Sequence, residues 1–388
     1  MKSTSEKVAV FGTIDPQFES VKEAFESNFY RDDTYQELGS SLCVYYQGKQ
    51  VINLWAGYRN REKTQPWTED TTIALYSTTK GITGLCVGVL VDRGLVAYSD
   101  LVSKHWPEFG QNGKENTTVS HLLSHQSGNP GLRETTQLDD LMNWDLICDR
   151  LARQAPYWVP GEKTSYHGWT VGYLAGEIVR RVSGKTVGTF LQEEIAGPLG
   201  ADVYIGLPES KEDTVAVLYK PIEQHQIPDP ATLPDFLAVS VSNPVLEAES
   251  PNRREWRAAE LPAICGYGSA MGLAKIYQPL AQVDHLPQPG FMSAGSIDKM
   301  TEIVSTRQDM MIGSPIAWGN GTVINDLDLN LFGPNTKAFG HSGWGGSFGC
   351  ADRDNQVAIG YVCNQMGPDT VGDPRAKMLV KAIYDCIQ

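Results

Sequence analysis

A serine with a lysine three residues later can do acyl-transfer chemistry if a helix brings both side chains to one face. The sequence offers that spacing twice, as Ser77-Thr78-Thr79-Lys80 and as Ser296-Ile297-Asp298-Lys299. About one such match is expected by chance in a chain with this many serines, so context must separate them. Ser77 follows the apolar run Ile73-Ala74-Leu75-Tyr76 and precedes Gly81–Val91, which is apolar almost all the way round. That pattern predicts a buried helix beginning near Ser77. A lysine held there loses hydration, which lowers its pKa and lets it take the serine proton. The backbone N–H groups at the helix start can stabilise an oxyanion. From these two residues alone, a capping serine beside a lysine that snorkels to solvent is an equal alternative. Ser296 precedes a helical run ending near Ser305 and reads as an N-cap, with Lys299 on the wet face.

A second serine lies in a G-x-S-x-G match, Gly345-Gly346-Ser347-Phe348-Gly349. As a nucleophile elbow it requires a histidine later in the chain. The seven histidines are His105, His121, His125, His167, His225, His285 and His341, and none follows Ser347. The segment therefore reads as a glycine turn where backbone closely approaches a site. His121 and His125 read as structural, since no carboxylate or cysteine at ligand spacing accompanies them.

The elements that must position these residues follow from periodicity. Phe18, Val21, Phe25 and Phe29 recur at helical spacing and predict an amphipathic helix over Pro16–Phe29. Leu42–Tyr46 and Val51–Gly57 predict an antiparallel hairpin. Gly321–Asn325, Leu329–Phe332 and Ala338–His341 are short strand candidates, and Phe348–Ala351 with Gln356–Cys363 forms a second hairpin. A last helix covers Asp373 to Cys386, while Ile82–Val91 and Val171–Val182 make the middle helical. The expected architecture is α/β, an antiparallel sheet flanked by N- and C-terminal helices, with an inserted mostly helical domain. Residues 1–74 and 262–388 would form the α/β domain. Residues 75–261 would form the helical one, its irregular proline-rich segment 208–261 shaping the pocket.

Composition narrows the function classes. The 388 residues are 41% hydrophobic and 20% charged, which is ordinary for a globular chain. The net charge of −14 argues against nucleic acid and against anionic lipid. Seven widely spaced cysteines without a C-x-x-C pair disfavour a disulfide framework or zinc and point to a reducing compartment. The start Met1–Glu6 lacks a secretory pattern, and the run Leu85–Val91 is too short to span a bilayer, so a cytoplasmic protein is expected.

Several motifs accompany Ser77–Lys80 in order: His121-Leu122-Leu123-Ser124-His125-Gln126-Ser127-Gly128, Pro160-Gly161-Glu162, Tyr166, Gly172–Gly184, Pro198-Leu199-Gly200 and His341-Ser342-Gly343-Trp344-Gly345-Gly346. Together they resemble the serine β-lactamase and penicillin-binding-protein superfamily, over nearly the whole chain and most closely its family VIII carboxylesterases. The resemblance implies a β-lactamase-like fold and a serine hydrolase. Ser77 would be the nucleophile, Lys80 its base and Tyr166 the third member. Backbone N–H groups of Ser77 and Trp344 would form the oxyanion hole, and His341, Gly343 and Trp344 would meet substrate. Tyr166 beside a lysine ammonium would ionise more easily.

Two departures stand out. Tyr166-His167-Gly168 lacks the asparagine of Y-x-N, and His341-Ser342-Gly343 stands where class C β-lactamases carry K-T-G. Both favour a neutral ester over a β-lactam. The expected function is cofactor-free hydrolysis of short-acyl esters through an acyl-enzyme, the partner being a small-molecule ester. A D-aminopeptidase or other amidase, a weak β-lactam hydrolase and an acyltransferase are alternatives within the fold. A catalytically silent relative that binds a ligand or partner is the alternative of another functional class.

Overall fold

The computed structural model describes residues 7–223, 228–285, 290–326 and 330–387. The expectations for Met1–Glu6, for His225 and for Leu329 therefore lie outside the described residues.

Sheet residues come from both ends of the chain. The strands are β1 (Val10–Ile14), β2 (Gly39–Tyr46), β3 (Lys49–Gly57), β4 (Ile73–Ala74), β5 (Val203–Ile205), β6 (Gly266–Gly268), β7 (Val323–Ile324), β8 (Phe339–Ser342), β9 (Phe348–Asp352) and β10 (Val357–Cys363). The larger sheet runs β1-β3-β2-β10-β9-β8-β7, antiparallel at every step. It joins the two predicted hairpins edge to edge, with Ser40 opposite Cys363 and Tyr46 opposite Val357. The first hairpin turns at Gln47 and Gly48, both at positive φ, as a two-residue turn matched to sheet twist requires. A smaller sheet, β4-β6-β5, ties residues 73–74 to both the middle and the later part of the chain.

One face of the large sheet is covered by the terminal helices. Phe18, Val21 and Phe25 of the segment Pro16–Ser27 pack with Leu379, Val380 and Ile383 of the helix Pro374–Asp385, in a core that also holds Leu42, Leu54 and Ile359. The helix Ala270–Ala281 packs against β2, β9 and β10, and a second core around Thr78–Asp92 joins the helical middle to Cys43, Leu273, Phe339 and Ala358 from the sheet-bearing parts of the chain. That helix is buried from Thr78 through Leu90, as its all-round apolar pattern requires. It packs between β8 and the helix Thr170–Ser183. Gly84 lets it approach the backbone of Gly321 so closely that a Cβ there would overlap Gly321.

Two local expectations need correction. At Leu331 and Phe332 there is no strand: Asn325 Oδ1 accepts from both of their N–H groups at 3.1 Å, so a side chain replaces the ladder. Ser296 is not an N-cap. Ser293 caps the helix Ala294–Thr301 by accepting from the Ser296 N–H, and Ser296 itself lies buried in the first turn. Among the described residues no helix is long and apolar enough to cross a membrane, and all seven cysteines are free.

Candidate active site

Ser77 occupies the N-cap position of the helix Thr78–Asp92, but its hydroxyl caps no backbone N–H. Its Oγ instead lies 2.9 Å from Lys80 Nζ. Both side chains are buried, with exposures of 7% and 5%. Nζ also donates to the carbonyl oxygens of Gly168 (2.7 Å) and Ala263 (2.9 Å). Lys80 thus points inward and does not snorkel, which removes the bland alternative for this pair. Burial holds the lysine pKa well below 10.5.

The preceding residue, Tyr76, has φ +45°, a left-handed conformation that is strained in a bulky side chain. Two contacts hold it there. Its hydroxyl donates to Ala248 O at 2.7 Å, and its ring meets Trp344 edge-on at 5.2 Å.

Tyr166 comes from the segment before the helix Thr170–Ser183. Its ring stacks on Trp318 (5.8 Å between centroids, 13° between planes), and Lys80 Nζ sits 4.7 Å from its ring centre. Its hydroxyl neighbours the Ser77 side chain. Burial raises the phenol pKa, and the neighbouring Ser77 only partly opposes this. The expectation of an easily ionised tyrosine is therefore wrong: desolvation outweighs the neighbouring lysine, whose own pKa is lowered. Asp309 fixes the Tyr166 backbone by accepting its N–H at 3.0 Å, along with those of Met311 and Ile312 at the same distance.

The glycine turn closes the other side. Gly343 abuts the nucleophile segment: a Cβ there would overlap Leu75 O and lie 2.6 Å from Ser347 Oγ and 3.0 Å from Thr78 Oγ1. Ser347 is a clamp between turn and helix, its hydroxyl donating to Leu75 O at 2.8 Å and lying 3.0 Å from Thr78 Oγ1. This gives the G-x-S-x-G match the structural role its chain order implied. Trp344 follows Gly343 and is half-buried. Among the described residues, neither the Ser77 N–H nor the Trp344 N–H has a hydrogen-bond acceptor within the protein.

His341 lies on β8 in the same buried region. Its Nδ1–H donates to Ser342 O at 2.7 Å, and its Nε2 is buried without a partner. Burial, helped by the Lys80 charge, pulls its pKa down to about 3, so the ring is neutral at ordinary pH. His125 Nδ1 accepts the His167 N–H at 3.0 Å, and its ring packs on Trp318 at 4.3 Å. His121 Nδ1 accepts the Thr118 N–H at 3.3 Å in a capping box. Both rings thus have structural tasks. Among the described residues, no cluster of His, Cys, Asp or Glu is arranged to hold a metal.

The structure brings Ser77, Lys80, Tyr166, His341, Gly343 and Trp344 into one neighbourhood through pairwise contacts. Tyr76, Asp309 and Trp318 also belong to it and escaped the sequence reading. Their partners are remote in the chain, and only Asp309, four residues before Gly313, carries a local turn signal.

Comparison with known proteins gives concordant matches. The β-lactamase family model matches residues 24–382. The esterase/β-lactamase LipL of Mycobacterium tuberculosis is 31% identical over 375 residues, covering 92% of this chain and 83% of the relative. A crystal structure of a family VIII carboxylesterase superposes with a TM-score of 0.91 at 40% identity, covering 97% of this chain and all of the other. A penicillin-binding-protein homologue from Caulobacter crescentus has the same TM-score at 37% identity and the same coverages.

Proposed function

From the premise that this chain belongs to the β-lactamase family, we propose that it is a serine carboxylesterase working through an acyl-enzyme on Ser77. The observation that carries the reading is the environment of Lys80 Nζ. A neutral amine has two N–H donors and one lone pair. Two carbonyls occupy the donors, and Ser77 Oγ is the remaining partner. The lone pair is thereby directed at the serine hydroxyl, and burial favours the neutral amine.

The reaction then runs in two halves. Ser77 Oγ attacks the ester carbonyl while its proton passes to Lys80 Nζ. The carbonyl oxygen becomes an oxyanion and accepts from the Ser77 and Trp344 N–H groups, which have no competing acceptor. The C–O bond breaks, and the departing alkoxide takes a proton relayed through the Tyr166 hydroxyl, which Lys80 resupplies. Water adds to the acyl carbonyl with the same groups acting in reverse, and the acid leaves Ser77. Tyr166 works as a relay that keeps its proton between steps, consistent with its raised pKa.

Neutral, short-acyl esters are the proposed substrates. His341 supplies no cation for a substrate carboxylate, and Gly168 places no side chain where the family asparagine would reach an amide. Ser77 is only 7% exposed and has Tyr76 and Tyr166 beside it, which supports a small acyl group in the proposal. The test is Ser77→Ala assayed with 4-nitrophenyl acetate. The folded variant should lose hydrolysis to the background rate, and retained turnover would refute the assignment.

A further inference from the structure

The Trp344 turn contains two glycines at positive φ, Gly345 at +97° and Gly346 at +119°. Consecutive glycines give a turn little stiffness of its own, so a donor carried on it needs external support. That support comes from the C-terminal helix. Arg375 is completely buried and donates through Nη2 to Gly345 O at 2.8 Å and through Nη1 to Gln365 O at 2.8 Å. Asp373 grips the same guanidinium with both oxygens, from Nε at 3.0 Å and Nη2 at 2.6 Å. Asp373 is also the N-cap of that helix, so the pair cannot move without it. Gly346 lies directly against the pair: a Cβ there would sit 2.6 Å from Asp373 Oδ2 and 2.8 Å from Arg375 Nη2. Gly345 O also accepts the Gly367 N–H at 3.1 Å, so the Gly345–Gly346 peptide, two peptide units after the one carrying the Trp344 N–H, is clasped from two directions.

We propose that Arg375 is a positioning residue for catalysis: by holding the Gly345 carbonyl it fixes the direction of the Trp344 N–H toward the oxyanion. The proposal rests on the acyl-enzyme reading above. A guanidinium with rigidly forked donors suits the task, because it holds the carboxylate and the turn carbonyl at once. Arg375 makes no hydrogen bond to Ser77 or Lys80; besides the turn it holds Gln365 O and faces the buried Glu37 carboxylate at 3.6 Å, so its loss also costs stability, while its effect on catalysis would come through the turn.

The experiment compares Arg375→Met, Arg375→Lys and Tyr384→Phe with the native enzyme, using 4-nitrophenyl acetate well below each thermal midpoint. Tyr384 is the control. It is buried on the same helix, and its hydroxyl donates to Asp352 Oδ2 at 2.6 Å, away from the turn. An oxyanion donor acts chiefly in the transition state, so Arg375→Met should lower kcat by roughly 10–100-fold with KM within about twofold. Arg375→Lys keeps a buried cation and should recover part of the loss. Tyr384→Phe should lower the midpoint and leave kcat unchanged. If Arg375→Met does not fold, Arg375→Lys decides, with an expected loss in kcat of at least about threefold. Native kcat in the Arg375 variants, or an equal fall in Tyr384→Phe, overturns the proposal. Ser77→Ala separates the two levels. If it abolishes turnover while the Arg375 variants keep native kcat, only the positioning role fails; if it retains turnover, the acyl-enzyme reading fails first.

Discussion

Adding one methyl group at Gly343 tests how closely the oxyanion turn is pressed against the nucleophile. The Cβ of Gly343→Ala would overlap Leu75 O and stand 2.6 Å from Ser347 Oγ, whereas ordinary contact begins at 3.4 Å. Leu75 O cannot yield easily, because Leu75 lies beside β4 and its N–H is bonded to Gly266 O at 2.8 Å. The turn must therefore retreat by about 1 Å, carrying the Trp344 N–H with it. A misplacement of that size costs roughly 10²-fold in rate, equivalent to about 2.7 kcal/mol. Overpacking should also cost about 1–3 kcal/mol of stability, so stability must be controlled separately. Gly188→Ala provides the control. Its Cβ would collide with the backbone carbonyl of Ile205, remote from the residues around Ser77. Steady-state hydrolysis of 4-nitrophenyl acetate, measured beside thermal unfolding, should show kcat down about 10²-fold for Gly343→Ala and unchanged for Gly188→Ala. If both variants lose stability and both keep native kcat, the geometric argument for the turn is refuted.

Lys80→Arg keeps the cation but cannot release its proton, so kcat/KM should fall by at least about 10³-fold. In the native enzyme, kcat/KM should rise with pH through an apparent pKa well below lysine's ordinary 10.5, and a limb at or above 10.5 contradicts the neutral-amine base. Tyr166→Phe keeps the stacking on Trp318 but removes the relay, and kcat should drop by about 10²–10⁴-fold; a fall below tenfold in single-turnover kinetics argues against proton relay. The buried histidines make folding acid-sensitive. His167 and His341 have pKa values pulled down to about 4 and about 3, so the unfolded chain binds protons first as pH falls below 6.5. Denaturant unfolding should show stability lost progressively from about pH 6.5 toward pH 4, and a His341→Gln variant with an undiminished slope would show that His341 is not a source.

Much of the scaffold was legible because it depends on local pattern. Runs dense in β-branched and aromatic residues around short turns located both hairpins, and Phe18, Val21 and Phe25 marked the first helix by spacing alone. Ser77 and Lys80 were visible for the same reason, being one helical turn apart on an all-apolar helix. Tyr166 has no such local signal. It lies 86 positions beyond Lys80 and was reached only through the family resemblance. Asp309 and Trp318 act on Tyr166 from more than 140 positions away, and Arg375 supports the Gly345 turn from the last helix. Such partners are set by how sheet and helices stack, which no window of sequence contains. The ionisation of Tyr166 was misjudged because charge proximity is readable from a motif while complete burial is not. Leu331 and Phe332 misled in the opposite sense: their apolar character reports burial, and Asn325 supplies the hydrogen bonds a strand partner would have made. Ser296 was misread because two serines stand three residues apart, and only the cap geometry chooses Ser293.

The central claim is a covalent intermediate on Ser77. Rapid acid quenching during turnover of an acetate ester, followed by mass analysis of the peptide carrying Ser77, tests it most directly. An added acetyl group on Ser77 in the native enzyme and none in Ser77→Ala is the outcome required. Full turnover with an unmodified Ser77 peptide, or acetyl on another residue that turns over at the catalytic rate, would contradict it.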